Sequence, residues 1–167
     1  MHSHTPPSDP DPERAMTDTP LPRPAGPREP EALAAWPSVP KPPGCRRRVL
    51  VVEDNPDAAQ TLAMLLDLLG HEVRVAYTGP DGVREAVEWC PDVVVCDIGL
   101  PGLNGYGVAR ELRARPSTAQ ARLIALTAYG TEDDVRRAGE AGFNAHITKP
   151  ANPDALIELL WPVPAGE

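Results

Sequence analysis

After Arg48 the sequence alternates, five times over, between a short run of aliphatic residues and a longer stretch with helical spacing. The first run, 49–52, is unbroken Val and Leu and is closed by Glu53-Asp54-Asn55-Pro56. A continuous apolar run of this length suits a strand covered on both faces of a parallel sheet. Residues 57–69 then place Leu62, Leu65, Leu66 and Leu69 on one helix face, and Gly70 stops the helix. The pattern predicts further strands at 72–76, 92–96, 122–126 and 144–148, with helices at 79–89, 106–114 and 132–141 between them. Asp97 closes the third strand, Gly142 stops the helix before the fifth, and Lys149-Pro150 ends the fifth. Asn152 caps a last helix with Pro153 at its first position. Strands that alternate with helices require right-handed crossovers and a single parallel sheet. About 120 residues so arranged bury roughly two-thirds of the surface the unfolded chain exposes.

The 167-residue chain holds more than this domain. Residues 1–43 carry 13 of its 22 prolines. Proline fixes φ and removes a donor, so neither a helix nor a central strand runs through such a stretch. Too few large apolar groups remain to offset the entropy of ordering, and residues 1–45 are expected to form a disordered arm with polyproline-like pieces. Leu33 and Trp36 are its one bulky apolar pair and read as linker rather than as a docking motif; His2 and His4 read as tail residues rather than as a metal site. Met16 is a second candidate start. Arg46, Arg47 and Arg48 read as a solvated lead-in to the first strand. The domain itself is expected at 46–162, with a short tail at 163–167.

The formal charge of −8 is spread along the chain. It argues against a general nucleic-acid binder, which needs a basic face. Cys45, Cys90 and Cys96 are scattered and odd in number, with no C-x-x-C pair, which argues against a disulfide framework or zinc site and for a reducing cytosol. No run approaches the ~20 apolar residues of a membrane helix and the N-terminus lacks a signal-peptide stretch, so a soluble cytoplasmic protein without a membrane partner is expected.

In an open parallel sheet, ligands sit beyond the carboxyl ends of the strands. The first strand delivers Glu53 and Asp54 there, the third Asp97, the fourth Thr127 and the fifth Lys149. One such Asp is ordinarily a cap or turn residue; five polar groups from four strands at one edge are not. Carboxylates at ~4 Å with an effective dielectric near 20 repel by about 4 kcal/mol per pair. A hard dication with oxygen ligands offsets that, and Mg²⁺ takes one or two carboxylates and keeps several waters. Lys149 adds a point charge suited to a phosphoryl oxygen or to Asp97, and Thr127 adds a hydroxyl donor. A carboxylate beside Mg²⁺ is a nucleophile toward a phosphoryl group, whose equatorial oxygens the metal and the lysine neutralise. The sequence has no G-x-S-x-G, no Cys with a His partner and no G-x-x-x-x-G-K-[ST] loop.

Together, Val49-Leu50-Val51-Val52-Glu53-Asp54-Asn55, Val95-Cys96-Asp97-Ile98-Gly99-Leu100-Pro101-Gly102, Ala125-Leu126-Thr127-Ala128 and Lys149-Pro150 resemble the receiver domain of two-component response regulators, over about residues 47–161. The resemblance implies a flavodoxin-like, CheY-like doubly wound fold, a five-stranded parallel sheet in the order 2-1-3-4-5. It implies Asp97 as phosphoryl acceptor, Glu53 and Asp54 as the acidic pair that holds Mg²⁺ directly or through water, and the Gly99 carbonyl as a further metal ligand. Thr127 and Lys149 would contact the phosphoryl group. A histidine kinase or histidine phosphotransfer protein would donate it, an unidentified protein would receive the signal, and the only catalysis would be the receiver's own phosphorylation and slow dephosphorylation. The Lys149-Pro150 bond is often cis in relatives.

Two positions depart from the family pattern. Glu53 stands where many relatives have Asp, and His146 where many carry Tyr or Phe. In those relatives the ring swings inward as the threonine shifts; His146 either does likewise, with a pH-sensitive charge, or is a partly exposed histidine without that role. Ala138, Gly139 and Ala141, with the last strand and helix, are expected on the face that changes, and Tyr129 flanks the site. A pseudo-receiver that binds partners without phosphorylation is the alternative, and it requires damage that none of the main positions shows. A phosphohydrolase with a D-x-D pattern is opposed by Gly99 in the second position. No output domain follows Trp161, so a single-domain switch or relay intermediate is expected.

Overall fold

The computed structural model describes residues 46–160. The expectations for the arm at 1–45, including Leu33, Trp36, His2, His4, Met16 and Cys45, lie outside the described residues, as do those for positions 161–167.

Five strands, β1 (Arg48–Val52), β2 (Glu72–Ala76), β3 (Val93–Asp97), β4 (Arg122–Thr127) and β5 (Ala145–Thr148), form one sheet in the order β2-β1-β3-β4-β5. All four pairings are parallel. The helices are α1 (Pro56–Leu68), α2 (Gly79–Trp89), α3 (Gly105–Arg113), α4 (Glu132–Ala141) and α5 (Pro153–Leu160). This is the doubly wound, flavodoxin-like order expected from the motifs.

Successive strand residues point to opposite faces, so each central strand feeds two cores. Leu50, Val52, Val94, Cys96, Leu123 and Ala125 pack under Val83, Ala86, Val108, Leu112, Ala138 and Ala141 of α2, α3 and α4. Val49, Val51, Val93, Val95, Ile124 and Leu126 pack under Leu62, Leu66, Leu156 and Leu160 of α1 and α5. Each fully buried Val, Leu or Ile contributes about 1.5–3 kcal/mol relative to exposure. The edge strand β2 instead exposes Glu72 and Arg74 between half-buried Val73 and Val75, and charges on an edge oppose pairing with another chain.

The helices begin where side-chain oxygens satisfy their first amides. Asn55 Oδ1 accepts from the N–H of Asp57 and Ala58, and Thr78, Asn104 and Thr131 cap α2, α3 and α4 in the same way. Asn152 Oδ1 accepts from the Asp154 N–H at 2.9 Å, as the sequence predicted for the last helix.

Two local readings change. β3 starts at Val93 and runs through Asp97, so the acid is the last strand residue and not the first loop residue. Asp92 is freed from the strand, and its Oδ2 accepts the Arg48 N–H at 2.8 Å, bracing the starts of β1 and β3. Arg48 is not lead-in: it pairs with Glu72 as the first residue of β1. Its guanidinium donates to the Trp89 carbonyl at 2.7 Å and lies 5.8 Å from that ring's centroid.

Candidate functional site

Because β1, β3, β4 and β5 are parallel and adjacent, their carboxyl ends open on one rim, and the register sets what meets there. Val52 pairs with Cys96, Asp97 with Leu126, and Thr127 with Thr148. Glu53 and Asp54 follow the end of β1, Asp97 and Thr127 are the last residues of β3 and β4, and Lys149 follows the end of β5. The Lys149-Pro150 peptide is cis, as the resemblance led us to expect.

The Lys149 ammonium donates to Glu53 Oε2 at 2.7 Å and to Asp97 Oδ2 at 3.0 Å. Asp97 Oδ1 accepts the Gly99 N–H at 2.9 Å, and Glu53 Oε1 accepts the Asn55 N–H at 3.2 Å. Glu53 and Asp97 are buried, at 2% and 6% exposure, whereas Asp54 is exposed. One carboxylate oxygen from each of the three acids lies within 4.8 Å of the others. Three acids and one ammonium leave the rim negative, and oxygen donors so gathered fit a hard dication. Burial pushes the Glu53 carboxyl above its ordinary value; the Lys149 and Asn55 hydrogen bonds pull it back, and Asp97 adds repulsion. Burial works to lower Lys149, but its hydrogen bonds to Glu53 and Asp97 win and hold the ammonium above the usual lysine range.

The Thr127 hydroxyl is shut off from solvent and has no hydrogen-bond partner among the described residues. An unsatisfied buried hydroxyl costs about 1–3 kcal/mol. Thr127 lines a cleft of about 260 Å³ together with Asp97, Gly99, Lys149, Tyr106, Tyr129 and Asp134. Tyr129 is 75% exposed at its mouth. An oxygen-rich group seated on Asp97 would give the orphaned hydroxyl an acceptor.

Of the seven site positions expected from the sequence, five, Glu53, Asp54, Asp97, Thr127 and Lys149, meet at this rim. The sixth, Gly99, is present through its amide. His146 does not join them: it is exposed on β5, level with Ala125 and beside Val135, Ala138 and Phe143. Ala138 and Ala141 face the core, and Gly139 faces outward. Three contributors were missed. Asn55, the cap of α1, also engages Glu53. Tyr106 and Asp134 line the cleft from the starts of α3 and α4. Asn55 was read only as part of the segment that closes the first strand, and no local pattern announced a tyrosine from a different helix. Gly105 explains how Tyr106 comes so near: a Cβ there would lie 2.5 Å from the Asp97 carbonyl oxygen, so only glycine lets α3 start against the end of β3.

A second hollow, of about 780 Å³ and mostly apolar, borders Glu53 and Lys149 on the other side, between α1 and the start of α5. Ala58, Leu62, Leu65 and Pro150 help to form its walls.

The family model of the response regulator receiver domain matches residues 49–160. Protein PilH of Pseudomonas aeruginosa is 35% identical over 119 residues, which cover 71% of this chain and 98% of that protein. Among solved structures, the receiver domain of a Pseudomonas aeruginosa sensor histidine kinase is 33% identical with a TM-score of 0.64, over 70% of this chain and 95% of that one; it holds a magnesium ion coordinated in its active-site cleft. The signal receiver domain of a histidine kinase from Syntrophus aciditrophicus is 30% identical with a TM-score of 0.63, over 72% of this chain and 95% of that one. Sheet order, rim chemistry and these likenesses agree: the chain belongs to the receiver-domain family of response regulators.

Proposed function

We propose that the chain accepts a phosphoryl group on Asp97 from the phosphohistidine of a histidine kinase or histidine phosphotransfer protein. The observation that carries this reading is the Lys149 ammonium 3.0 Å from Asp97 Oδ2, inside a cluster of three carboxylates. An Asp97 oxygen attacks phosphorus; the new O–P bond forms as the P–N bond breaks, and the electron pair leaves with the donor's imidazole. Mg²⁺, when bound, supplies Lewis-acid neutralisation of the phosphoryl oxygens. Asp54, Asp97 and the Gly99 carbonyl would hold it, with Glu53 acting directly or through water. Lys149 balances the remaining negative charge, and the Thr127 hydroxyl donates to a phosphoryl oxygen. The apolar hollow between α1 and α5 opens beside Lys149 and suits the approach of a protein donor.

In this reading the receiver spans 46–162 behind an arm at 1–45, works in the cytoplasm and catalyses only its own phosphorylation and slow dephosphorylation. Signal passes to a downstream protein or onward as phosphate. No helix among the described residues is long and apolar enough to cross a membrane. The test is labelling by a small acyl phosphate: it should require Mg²⁺ and vanish in Asp97→Asn. Labelling that persists in that variant removes Asp97 as the acceptor, and no labelling of the wild type under any donor favours the pseudo-receiver.

A further inference from the structure

Between Asp97 and α3 the chain makes an excursion whose two ends are tied down. The Ile98 N–H donates to the Leu126 carbonyl of β4 at 3.0 Å, and the Gly105 N–H donates back to the Ile98 carbonyl at 3.1 Å. The near arm of the excursion carries Gly99, whose carbonyl is a proposed cation ligand, and the far arm carries Leu103. Leu103 is half-buried and packs against the core under α2 and α3. Two glycines from different helices form its socket. A Cβ on Gly79, the first residue of α2, would overlap the Leu103 carbonyl oxygen and lie 3.0 Å from the Leu103 Cβ. A Cβ on Gly107, in the first turn of α3, would overlap Leu103 Cδ1. α2 therefore meets the excursion backbone to backbone, with no side chain between. The α2 side of the socket is firm: Thr78 Oγ1 accepts the Asp81 N–H at 3.2 Å and donates to Asp81 Oδ2 at 2.8 Å, which locks the first turn. Among the described residues α2 lends nothing to the cluster of acids or to the cleft beside it. Through Leu103 it touches the loop that carries Gly99.

Resting on the phosphoryl-acceptor reading, we propose that Leu103 in its Gly79 socket is a positioning contact for the Gly99 carbonyl, so that α2, which lends no ligand, sets the affinity of the site for Mg²⁺. Glu53, Asp54 and Asp97 stand at strand ends, where the register of the sheet fixes them. The Gly99 carbonyl stands in a loop, and the place of a loop depends on what it is pressed against. Mg²⁺ demands near-ideal octahedral geometry with short bonds, so a carbonyl that is slightly displaced is a poor ligand for it. A methyl added to the socket, or a leucine removed from it, leaves every acid in place and shifts this one oxygen.

Calorimetric titration with Mg²⁺ alone, without a phosphodonor, tests the contact. Gly79→Ala should weaken Mg²⁺ about tenfold, as loss of a group that orients a ligand does, although alanine is the better helix former. Leu103→Ala should do the same, and Leu103→Met, of similar volume, should stay within about twofold of wild type. Leu112→Val, in the same core at the far end of α3, is the control: it should lower the urea midpoint and leave Mg²⁺ affinity within about twofold. The metal-free ¹⁵N spectrum should show the Gly99 amide displaced in Gly79→Ala and at its wild-type position in Leu112→Val. Labelling of Gly79→Ala by a small acyl phosphate should be slow at limiting Mg²⁺ and return to the wild-type rate once the ion saturates. Mg²⁺ bound by Gly79→Ala as tightly as by wild type, or weakened just as much by Leu112→Val, overturns the proposal. Should Leu103→Ala fail to fold, Gly79→Ala and its Gly99 amide decide. Affinities in the expected order in a protein that is never labelled would instead defeat the acceptor reading and leave the positioning contact standing.

Discussion

At the amino rim of the sheet most charged side chains are used up on the backbone, Arg47 Nε alone being buried there without a partner among the described residues, and at the carboxyl rim they are crowded and left wanting. Arg113 donates to the carbonyls of Gly142, Ala119 and Ala121 and to Asn144 Oδ1, at 2.6–2.9 Å. Arg122 Nε donates to the Leu159 carbonyl, and Asp92 takes the Arg48 amide. These groups close helix ends and loop carbonyls that would otherwise be orphaned. On the opposite rim three acids crowd together, two of them share one ammonium, and the Thr127 hydroxyl has no partner among the described residues. The same strands carry both ends, so the difference lies in the termini alone. A satisfied rim can hold the fold, whereas an unsatisfied one retains binding energy for something that arrives later.

The sharpest test crosses the two rims. Asp97→Asn should abolish labelling while stability stays within about 1 kcal/mol of wild type, because Lys149 keeps Glu53 and one repulsive charge is gone. Arg113→Ala should cost about 2–4 kcal/mol, from several charge-assisted hydrogen bonds lost together, and still be labelled at the wild-type rate under native conditions. Urea unfolding and labelling on both variants check this. A large stability loss in the first, or a slow site in the second, would mean the rims are not independent.

On the proposed reading Mg²⁺ should stabilise the carboxyl rim, because a cation held by the folded acidic cluster has no matching site in the unfolded chain. At ten times its dissociation constant the gain is about 1.4 kcal/mol, visible as a rise in melting temperature that Asp54→Asn diminishes. Without metal the rim has its own pH signature. Burial raises the Glu53 carboxyl, so its contribution to stability is present below the ordinary carboxylate range and is lost as pH rises through the raised value. The stability of wild type relative to Glu53→Gln should therefore fall as pH rises through and above the ordinary carboxylate range, leaving the wild type the less stable of the two; a relative stability that rises with pH contradicts the burial-dominated environment.

Legibility in the sequence divides along the same line. The carboxyl rim could be read because its residues sit at strand ends and topology alone brings strand ends together: Glu53, Asp54, Asp97, Thr127 and Lys149 needed no knowledge of side-chain paths. The strands could be read because double burial writes continuous aliphatic runs. The amino rim was opaque. Nothing in Arg113 or Asp92 announces a partner 29 or 44 residues distant, since those contacts depend on where long side chains lie after the helices dock. His146 shows the other limit: its place on β5 was legible, but between an inward-swinging switch and an exposed side chain the sequence left the choice open, and the structure has it exposed.

Thr127→Val exchanges the orphaned hydroxyl for a methyl of nearly equal size. Removing an unsatisfied buried hydroxyl should raise stability by up to about 1 kcal/mol, while labelling slows because a phosphoryl oxygen loses its donor. Stability and activity moving in opposite directions is the mark of a rim that holds back its bonding capacity; a destabilised variant would mean that Thr127 already has a partner in solution.

The smallest effect belongs to the amino rim and asks how completely it is satisfied. Two helices end there in the left-handed region, α4 at Gly142 with φ +110° and α2 at Cys90 with φ +50°. At Gly142 a Cβ would lie 2.7 Å from the Arg113 side chain, so glycine is required by both conformation and space. Cys90 carries a Cβ through the same kind of turn, and a left-handed non-glycine residue costs about 1–2 kcal/mol. Cys90→Gly relieves that strain, while the added freedom of the unfolded chain returns about 0.4–1 kcal/mol. A net gain of about 0.5–1 kcal/mol is expected in urea unfolding, with labelling unchanged. If the substitution destabilises the chain instead, the Cys90 side chain, whose Sγ lies 3.6 Å from the Val87 carbonyl oxygen, contributes more to closing α2 than its exposure suggests, and the amino rim then depends on side-chain bonding even at the one position where backbone strain argues against it.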